Sequence, residues 1–142
     1  MKGLFRSRNG HGIHSPFVFN LVTKVIETKN TSSLSGYDAL VLRLTDYFEC
    51  ETVLFPVSDI IEVRQVPTEM TAGQLVEQYS SRTGENTLII VDRIGKQPEM
   101  KAFWQLLQAT EQATVSLDLK HLGMVFFNPK LPKKYYKIHW KN

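Results

Sequence analysis

Two glycines and two histidines lie close together near the start of the chain, in the segment Gly10-His11-Gly12-Ile13-His14. Glycine permits backbone angles that a residue with a Cβ avoids, so this spacing predicts a tightly turned loop. Histidine can bind a metal or move a proton. Because Gly12 and the nearby Pro16 predict a loop rather than a helix, we interpret the histidines as structural and predict no metal site. His14 is a candidate catalytic residue, and Gly10, His11 and Gly12 are candidates for cofactor contact.

A carboxylate follows the most apolar segment of the chain. The run Thr87-Leu88-Ile89-Ile90-Val91 is typical of a parallel strand that is covered on both faces, and Asp92 stands at its end. Ligands of open α/β sheets bind at the carboxyl ends of the strands. Asp92 is therefore a candidate general base or magnesium ligand. The alternative, which we favour, is that Asp92 caps the turn that follows it.

Lysines alternate with aromatic residues near the end of the chain. Lys133, Lys134, Lys137 and Lys141 are candidates for nucleic-acid contact, because aromatic rings between cations can stack on the bases of a single strand. In a strand, however, alternate side chains point to opposite faces. We therefore predict that Tyr136 and Trp140 belong to the core.

The formal charge of +3 is unevenly distributed. All 14 acidic residues lie between Glu27 and Asp118, an interval with a net charge of −7, while the two ends of the chain carry +10. If the ends share a face, they form a basic patch for nucleic acid or an acidic partner. The alternative, which we favour, is that scattered lysines keep exposed strands from pairing.

Length and composition indicate one globular domain over residues 1–142, with 42% hydrophobic and 22% charged residues. Cys50 is the single cysteine, which excludes an internal disulfide. Its neighbours Glu49 and Glu51 do not favour a reactive thiolate. No apolar run approaches the roughly 20 residues of a membrane helix. We expect no membrane association and a reducing cytoplasm as the compartment.

Apolar residues at helical spacing predict four helices. Ser15-Pro16 and Ser35 are suitable helix starts, and Thr71 with Gln74 has the pattern of a capping box. The predicted helices are Pro16 to Thr28, Ser35 to Phe48, one beginning at Thr71, and Pro98 to Ala109.

Strand patterns fill most of the remaining chain. We predict strands at Thr52 to Val57, Ile60 to Val66, Thr87 to Val91, Thr114 to Lys120, Leu122 to Phe127 and Tyr136 to Trp140. The C-terminal third is predicted to be antiparallel.

Three blocks of the sequence resemble class I S-adenosylmethionine-dependent methyltransferase-like proteins typical of Bacteroidetes. The first is Gly10-His11-Gly12-Ile13-His14-Ser15-Pro16-Phe17-Val18. The second is Leu42-Arg43-Leu44-Thr45-Asp46-Tyr47-Phe48 with Thr52-Val53-Leu54. The third runs from Leu88 to Trp140 and includes Asp92 and two segments similar to the family's closing antiparallel hairpin. The resemblance implies a methyltransferase-like α/β sheet.

The chain departs from that family where the cofactor would bind. Such methyltransferases have an acidic residue and a glycine-rich turn directly after the first strand. Here the corresponding segment is Phe55-Pro56-Val57-Ser58-Asp59-Ile60-Ile61, and no glycine occurs between Tyr37 and Gly73. Glu62 is not assigned to the family's ribose-binding role. The chain is also too short to hold all the middle strands of the family.

These observations predict a reduced, methyltransferase-like (Rossmann-like) mixed sheet with helices on both faces and an antiparallel C-terminal hairpin. We expect a non-catalytic remnant of a methyltransferase that acts as a binding or scaffold module, without a cofactor. A homodimer could form through an exposed sheet edge. One alternative is a methyltransferase that binds S-adenosylmethionine at an atypical site near Asp92 and the Gly10 to His14 loop. Another is a nucleic-acid-binding module that uses the basic ends.

Overall fold

The computed structural model describes residues 15–49 and 55–140. Within these ranges the helices are α1 (Pro16–Leu21), which continues as a π-helix over Val22–Ile26, α2 (Gly36–Phe48), α3 (Ala72–Ser80) and α4 (Pro98–Gln108). The strands are β1 (Asp59–Val63), β2 (Thr87–Asp92), β3 (Val115–Asp118), β4 (Leu122–Phe126) and β5 (Lys134–Lys137).

The predicted helix starts are confirmed, and at α1, α2 and α3 the N-cap side chain accepts a hydrogen bond from a free amide of the first turn. Ser15 Oγ accepts a hydrogen bond from the N–H of Val18, and Ser35 Oγ accepts one from the N–H three residues later. At α3 both bonds of the capping box form: Thr71 Oγ1 accepts from Gln74 N at 3.1 Å, and Gln74 Oε1 accepts from Thr71 N at 2.9 Å.

The sheet is mixed, with the strand order β1-β2-β4-β3-β5. β1 is parallel to β2, β4 is antiparallel to both of its neighbours β2 and β3, and β5 is parallel to β3. Four strands therefore run in one direction, and the reversed strand β4 lies between β2 and β3.

The predicted antiparallel arrangement holds for β3 and β4 but is wrong for β5. β5 does run opposite to β4, its predecessor in the chain. However, β4 is already flanked on both sides by β2 and β3, so β5 pairs with the outer side of β3 and lies parallel to it.

The strand boundaries also differ from the prediction around β1. Residues 55–57, the described part of the predicted strand Thr52 to Val57, do not belong to the sheet, and Thr52, Val53 and Leu54 lie outside the described residues. The next predicted strand, Ile60 to Val66, corresponds to β1, which begins at Asp59 and ends at Val63. Pro56 cannot donate a ladder hydrogen bond, which is consistent with pairing that begins after it.

Helices cover both faces of the sheet, as predicted. On one face α1, its π-helical continuation and α2 pack on side chains such as Leu88, Ile90 and Leu117. On the other face α3 and α4 pack on Ile89, Val91 and Val125. β2 is buried along its whole length, and Tyr136 and Trp140 belong to the first core, as expected.

The architecture is a mixed α/β fold, consistent with a Rossmann-like arrangement. Among the described residues, every helix is too short or too polar to cross a bilayer.

Candidate functional site

The carboxyl ends of β1, β2, β3 and β5 lie along one side of the sheet, together with the start of β4. We call this side the carboxyl rim. The register places Val63 beside Val91, Asp92 beside Leu122, and Asp118 between Gly123 and Lys137. In open α/β sheets this is the side on which ligands bind. Both aspartates of the rim are buried, with 9% of each residue exposed.

Asp92 is engaged on both carboxylate oxygens. Its Oδ1 accepts a hydrogen bond of 2.9 Å from the backbone N–H of Arg93. Its Oδ2 lies 3.4 Å from Nε of Arg64 and 3.5 Å from Nε of Arg93. The favoured sequence interpretation, a carboxylate that caps the turn after β2, agrees with this bond to Arg93. The two guanidinium groups were not anticipated.

Arg93 occupies the left-handed region of backbone space, with φ of 54°. The loop that it begins packs directly on the turn between β3 and β4: a Cβ added to Gly95 would lie 2.5 Å from the carbonyl oxygen of Lys120. Lys120 is itself left-handed, with φ of 73°. Non-glycine residues in this region are uncommon and often lie at functional sites.

Tyr37, from the first turn of α2, links Arg64 to a second carboxylate. Its hydroxyl donates a hydrogen bond of 2.9 Å to Oε1 of Glu62, and the guanidinium of Arg64 lies 4.4 Å from the centroid of its ring. Burial raises the pKa of Tyr37, and the hydrogen bond to Glu62 and its negative charge raise that pKa further. The phenol therefore stays protonated at neutral pH and serves as a donor.

The cluster is closed by a hydrogen bond between the two strand ends. A terminal nitrogen of Arg93 donates to the backbone carbonyl of Arg64 at 2.9 Å. We call Tyr37, Glu62, Arg64, Asp92 and Arg93 the rim cluster. The carboxylate of Asp92 is contacted by internal partners on both oxygens, whereas Glu62 is exposed and the side chains of Arg64 and Arg93 are 52% and 46% exposed. The cluster therefore presents guanidinium N–H donors to solvent.

Asp118, the other buried aspartate of the carboxyl rim, lies at the end of β3. It accepts a hydrogen bond of 2.8 Å from the hydroxyl of Tyr135 and one of 2.7 Å from the N–H of Lys120. The ring of Tyr135 lies against Trp104 of α4. These contacts fix the β3–β4 turn, so we assign Asp118 a structural role.

The C-terminal lysines differ in their surroundings. The ammonium of Lys133 donates to three backbone carbonyls at and after the end of α4, those of Gln108, Thr110 and Ala113, at 2.7–3.1 Å. Lys134 is exposed on the edge strand β5, and Lys137 is half-buried. Because Tyr136 and Trp140 are buried, they do not provide a stacking platform. Lys141 lies outside the described residues.

The N-terminal candidates Gly10, His11, Gly12 and His14 also lie outside the described residues. Of the described histidines, His121 packs near the ring of Trp140, with the ring centroids 6.4 Å apart. Over residues 15–49 and 55–140, no three His, Cys, Asp or Glu side chains are grouped so that they could hold a metal ion.

A depression of about 490 Å³ lies at the other end of the strands from Asp92, where β2 and β3 begin and β4 ends. It is lined by residues that precede β2 and β3 and follow β4, among them Gly84, Thr114, Phe127 and Lys133. Because the Lys133 ammonium is bound to the end of α4, it is not free to bind a ligand in this depression.

Sequence reasoning identified Asp92 but not Tyr37 or Arg64 as its neighbours. The available signal was weak: Arg64 directly follows β1, and Arg93 directly follows β2. Two parallel neighbouring strands bring their following residues together, so a pair of arginines at these positions predicts a cationic rim once the pairing is known. Comparisons of the chain with protein-family models, curated proteins and solved structures found no match.

Proposed function

We propose that this protein is a non-catalytic binding module built on a reduced methyltransferase-like sheet. The observation that carries the proposal is the occupancy of Asp92. A general base needs a carboxylate oxygen within reach of the proton that it abstracts. The oxygens of Asp92 instead contact a backbone amide and two guanidinium groups of the chain itself.

The relationship to methyltransferases is supported by the placement of the β3–β4 pair. The resemblance implies a closing antiparallel hairpin, and β3 with β4 forms such a hairpin at the expected place in the chain. The segment that should hold the methionine part of the cofactor lacks glycine from Tyr37 to Gly73. We therefore propose that the folding elements were kept while the cofactor-binding elements were lost.

Thermal unfolding with and without the cofactor tests this proposal. A ligand that binds only the native state stabilises it by about 2.7 kcal/mol at one hundred times its Kd. We expect the Tm to be unchanged by millimolar S-adenosylmethionine or its demethylated product. A saturable rise in Tm would contradict the proposal and support a methyltransferase with an atypical site near Asp92.

We also propose self-association through β1, one of the two edge strands of the sheet that the described residues form. The other edge strand, β5, carries Lys134 and Lys137, and charged edge lysines oppose pairing between sheets. β1 carries no lysine, and its two charged residues, Asp59 and Glu62, are acidic and exposed. Sedimentation at increasing protein concentration should therefore show dimers, whereas a monomer at all concentrations would contradict this part of the proposal.

Nucleic-acid binding by the basic ends is the second candidate, favoured by the exposure of Lys134 and the partial exposure of Lys137 on β5. It predicts an affinity for single-stranded DNA that falls steeply with salt. Replacing both lysines with glutamine should weaken that binding, while Lys101→Gln on the exposed side of α4 should not. Absence of binding at low salt would remove this candidate.

We also propose that the protein is cytoplasmic. A single cysteine, Cys50, leaves the fold without disulfides, as is typical of proteins in a reducing cytoplasm.

A further inference from the structure

Two guanidinium groups in the rim cluster share one carboxylate. Nε of Arg64 and Nε of Arg93 both lie within 3.5 Å of the same oxygen, Oδ2 of Asp92. The other carboxylate, that of Glu62, accepts the hydroxyl of Tyr37. Around Asp92 there are two positive charges against one negative charge, and the exposed carboxylate of Glu62 brings the net charge of the whole rim cluster to zero. The guanidinium N–H donors nevertheless outnumber the acceptors that contact them.

Both arginines are held in place before any ligand arrives. Arg64 is stacked over the ring of Tyr37, and the Arg93 guanidinium is tied to the carbonyl of Arg64. The bond from the Arg93 amide to Asp92 fixes the backbone beneath it. Ordering a free arginine side chain on binding costs conformational entropy, so side chains that are already ordered bind more tightly.

The position and exposure of the pair suit a ligand. Both side chains are about half exposed, at the side of the sheet where α/β folds bind ligands. A guanidinium presents its N–H groups in a planar fork that matches the oxygens of carboxylate and phosphate. A phosphate monoester adds three acceptor oxygens and nearly two negative charges, enough to engage both forks.

We propose that Arg64 and Arg93 bind the phosphate group of a phosphorylated ligand. This inference rests on the proposed function, since it names the ligand class of the binding module at the carboxyl rim. Asp92 acts in this site as a positioning residue. Its buried carboxylate orients both guanidinium groups through their Nε atoms and leaves the solvent-facing N–H groups for the phosphate.

The side-chain Nε–H resonances of the arginines provide a direct test, by titration of the full chain with inorganic phosphate at constant ionic strength. We expect saturable shifts of the Arg64 and Arg93 resonances and no shift of Arg82. Arg82 is a matched control because its guanidinium also lies over a tyrosine ring, 5.1 Å from the centroid of the Tyr79 ring. Tyr79 lies on α3 and Arg82 in the loop that follows it, so this pair is not part of the rim cluster.

Charge-preserving variants separate fork geometry from net charge. Arg64→Lys keeps the charge but loses the fork, and we expect it to raise the Kd for phosphate about tenfold. Arg82→Lys should leave the Kd unchanged. Thermal unfolding of each variant confirms that it is folded before its Kd is compared.

Any of three results would overturn the inference. The first is that chloride shifts the Arg64 and Arg93 resonances as much as phosphate does. The others are that phosphate shifts the Arg82 resonance by the same amount, or that Arg64→Lys leaves the Kd for phosphate unchanged. Adenosine monophosphate and phosphoserine should shift the same two resonances, and the tighter binder identifies the source of the phosphate.

S-adenosylmethionine titrated in the same way separates the two proposals. Binding of the cofactor contradicts the proposed function, whereas failure of phosphate with no cofactor binding overturns only this inference.

Discussion

Replacement of Asp92 by asparagine separates a structural carboxylate from a catalytic one. Asparagine keeps an oxygen that can accept the backbone N–H of Arg93, but it loses the charge that faces Arg64 and Arg93. Both arginines are about half exposed, so each ion pair contributes about 0.2–1 kcal/mol after solvent screening. We therefore expect Asp92→Asn to lower the free energy of unfolding by about 1 kcal/mol, measured by urea denaturation.

The matched control is Asp46→Asn, which removes one negative charge from an exposed position on α2. Exposed substitutions of this kind change the unfolding free energy by about 0.5 kcal/mol or less. Catalytic carboxylates are often held at a cost in stability, so their neutralisation can stabilise the fold. An Asp92→Asn variant that is as stable as the parent protein, or more stable, would refute the structural role assigned to Asp92.

Three further predictions concern other contacts of the fold. Tyr37→Phe should cost about 1 kcal/mol at neutral pH because its hydrogen bond is lost. Since the folded-state pKa of Tyr37 is raised, its contribution is complete below about pH 10 and is lost as the pH rises above that value. Urea midpoints should therefore fall more steeply above pH 10 in the parent protein than in the variant; equal slopes would contradict this. Gly123→Ala should lower stability by about 1–3 kcal/mol, because the added methyl group would overlap a buried indole ring. Gly84→Ala, where the methyl group meets no atom within 4 Å, is its control, and similar Tm values for the two variants would contradict the packing described here. Lys133→Gln should cost about 1 kcal/mol because the end of α4 loses a cation, whereas Lys134→Gln on the exposed edge strand should not; equal urea midpoints would argue against the cap.

Local features of the fold were predictable from the sequence. The starts of α1 and α3 depend on residues within three positions of each other, as in the bonds of Thr71 with Gln74. The continuous apolar run before Asp92 was sufficient to predict a strand covered on both faces. These features need no knowledge of distant parts of the chain.

Features that depend on pairing between distant segments were not predictable. β5 has the alternation of any strand, and its place beside β3 rather than β4 reflects the fact that β4 is already flanked on both sides. Arg64 and Arg93 meet because β1 and β2 are neighbours in register, although 29 positions separate them in sequence. The Lys133 ammonium was expected at the surface for a ligand and is bound instead to the end of α4.

The central proposal is that the carboxyl rim does not bind S-adenosylmethionine. Calorimetric titration of the cooperatively folded protein with S-adenosylmethionine and its demethylated product tests it most directly, at protein concentrations that detect millimolar affinity. We predict heats equal to those of dilution for both compounds. Saturable heat with either compound, reduced in Asp92→Ala, would contradict the account and identify the rim as a working cofactor site.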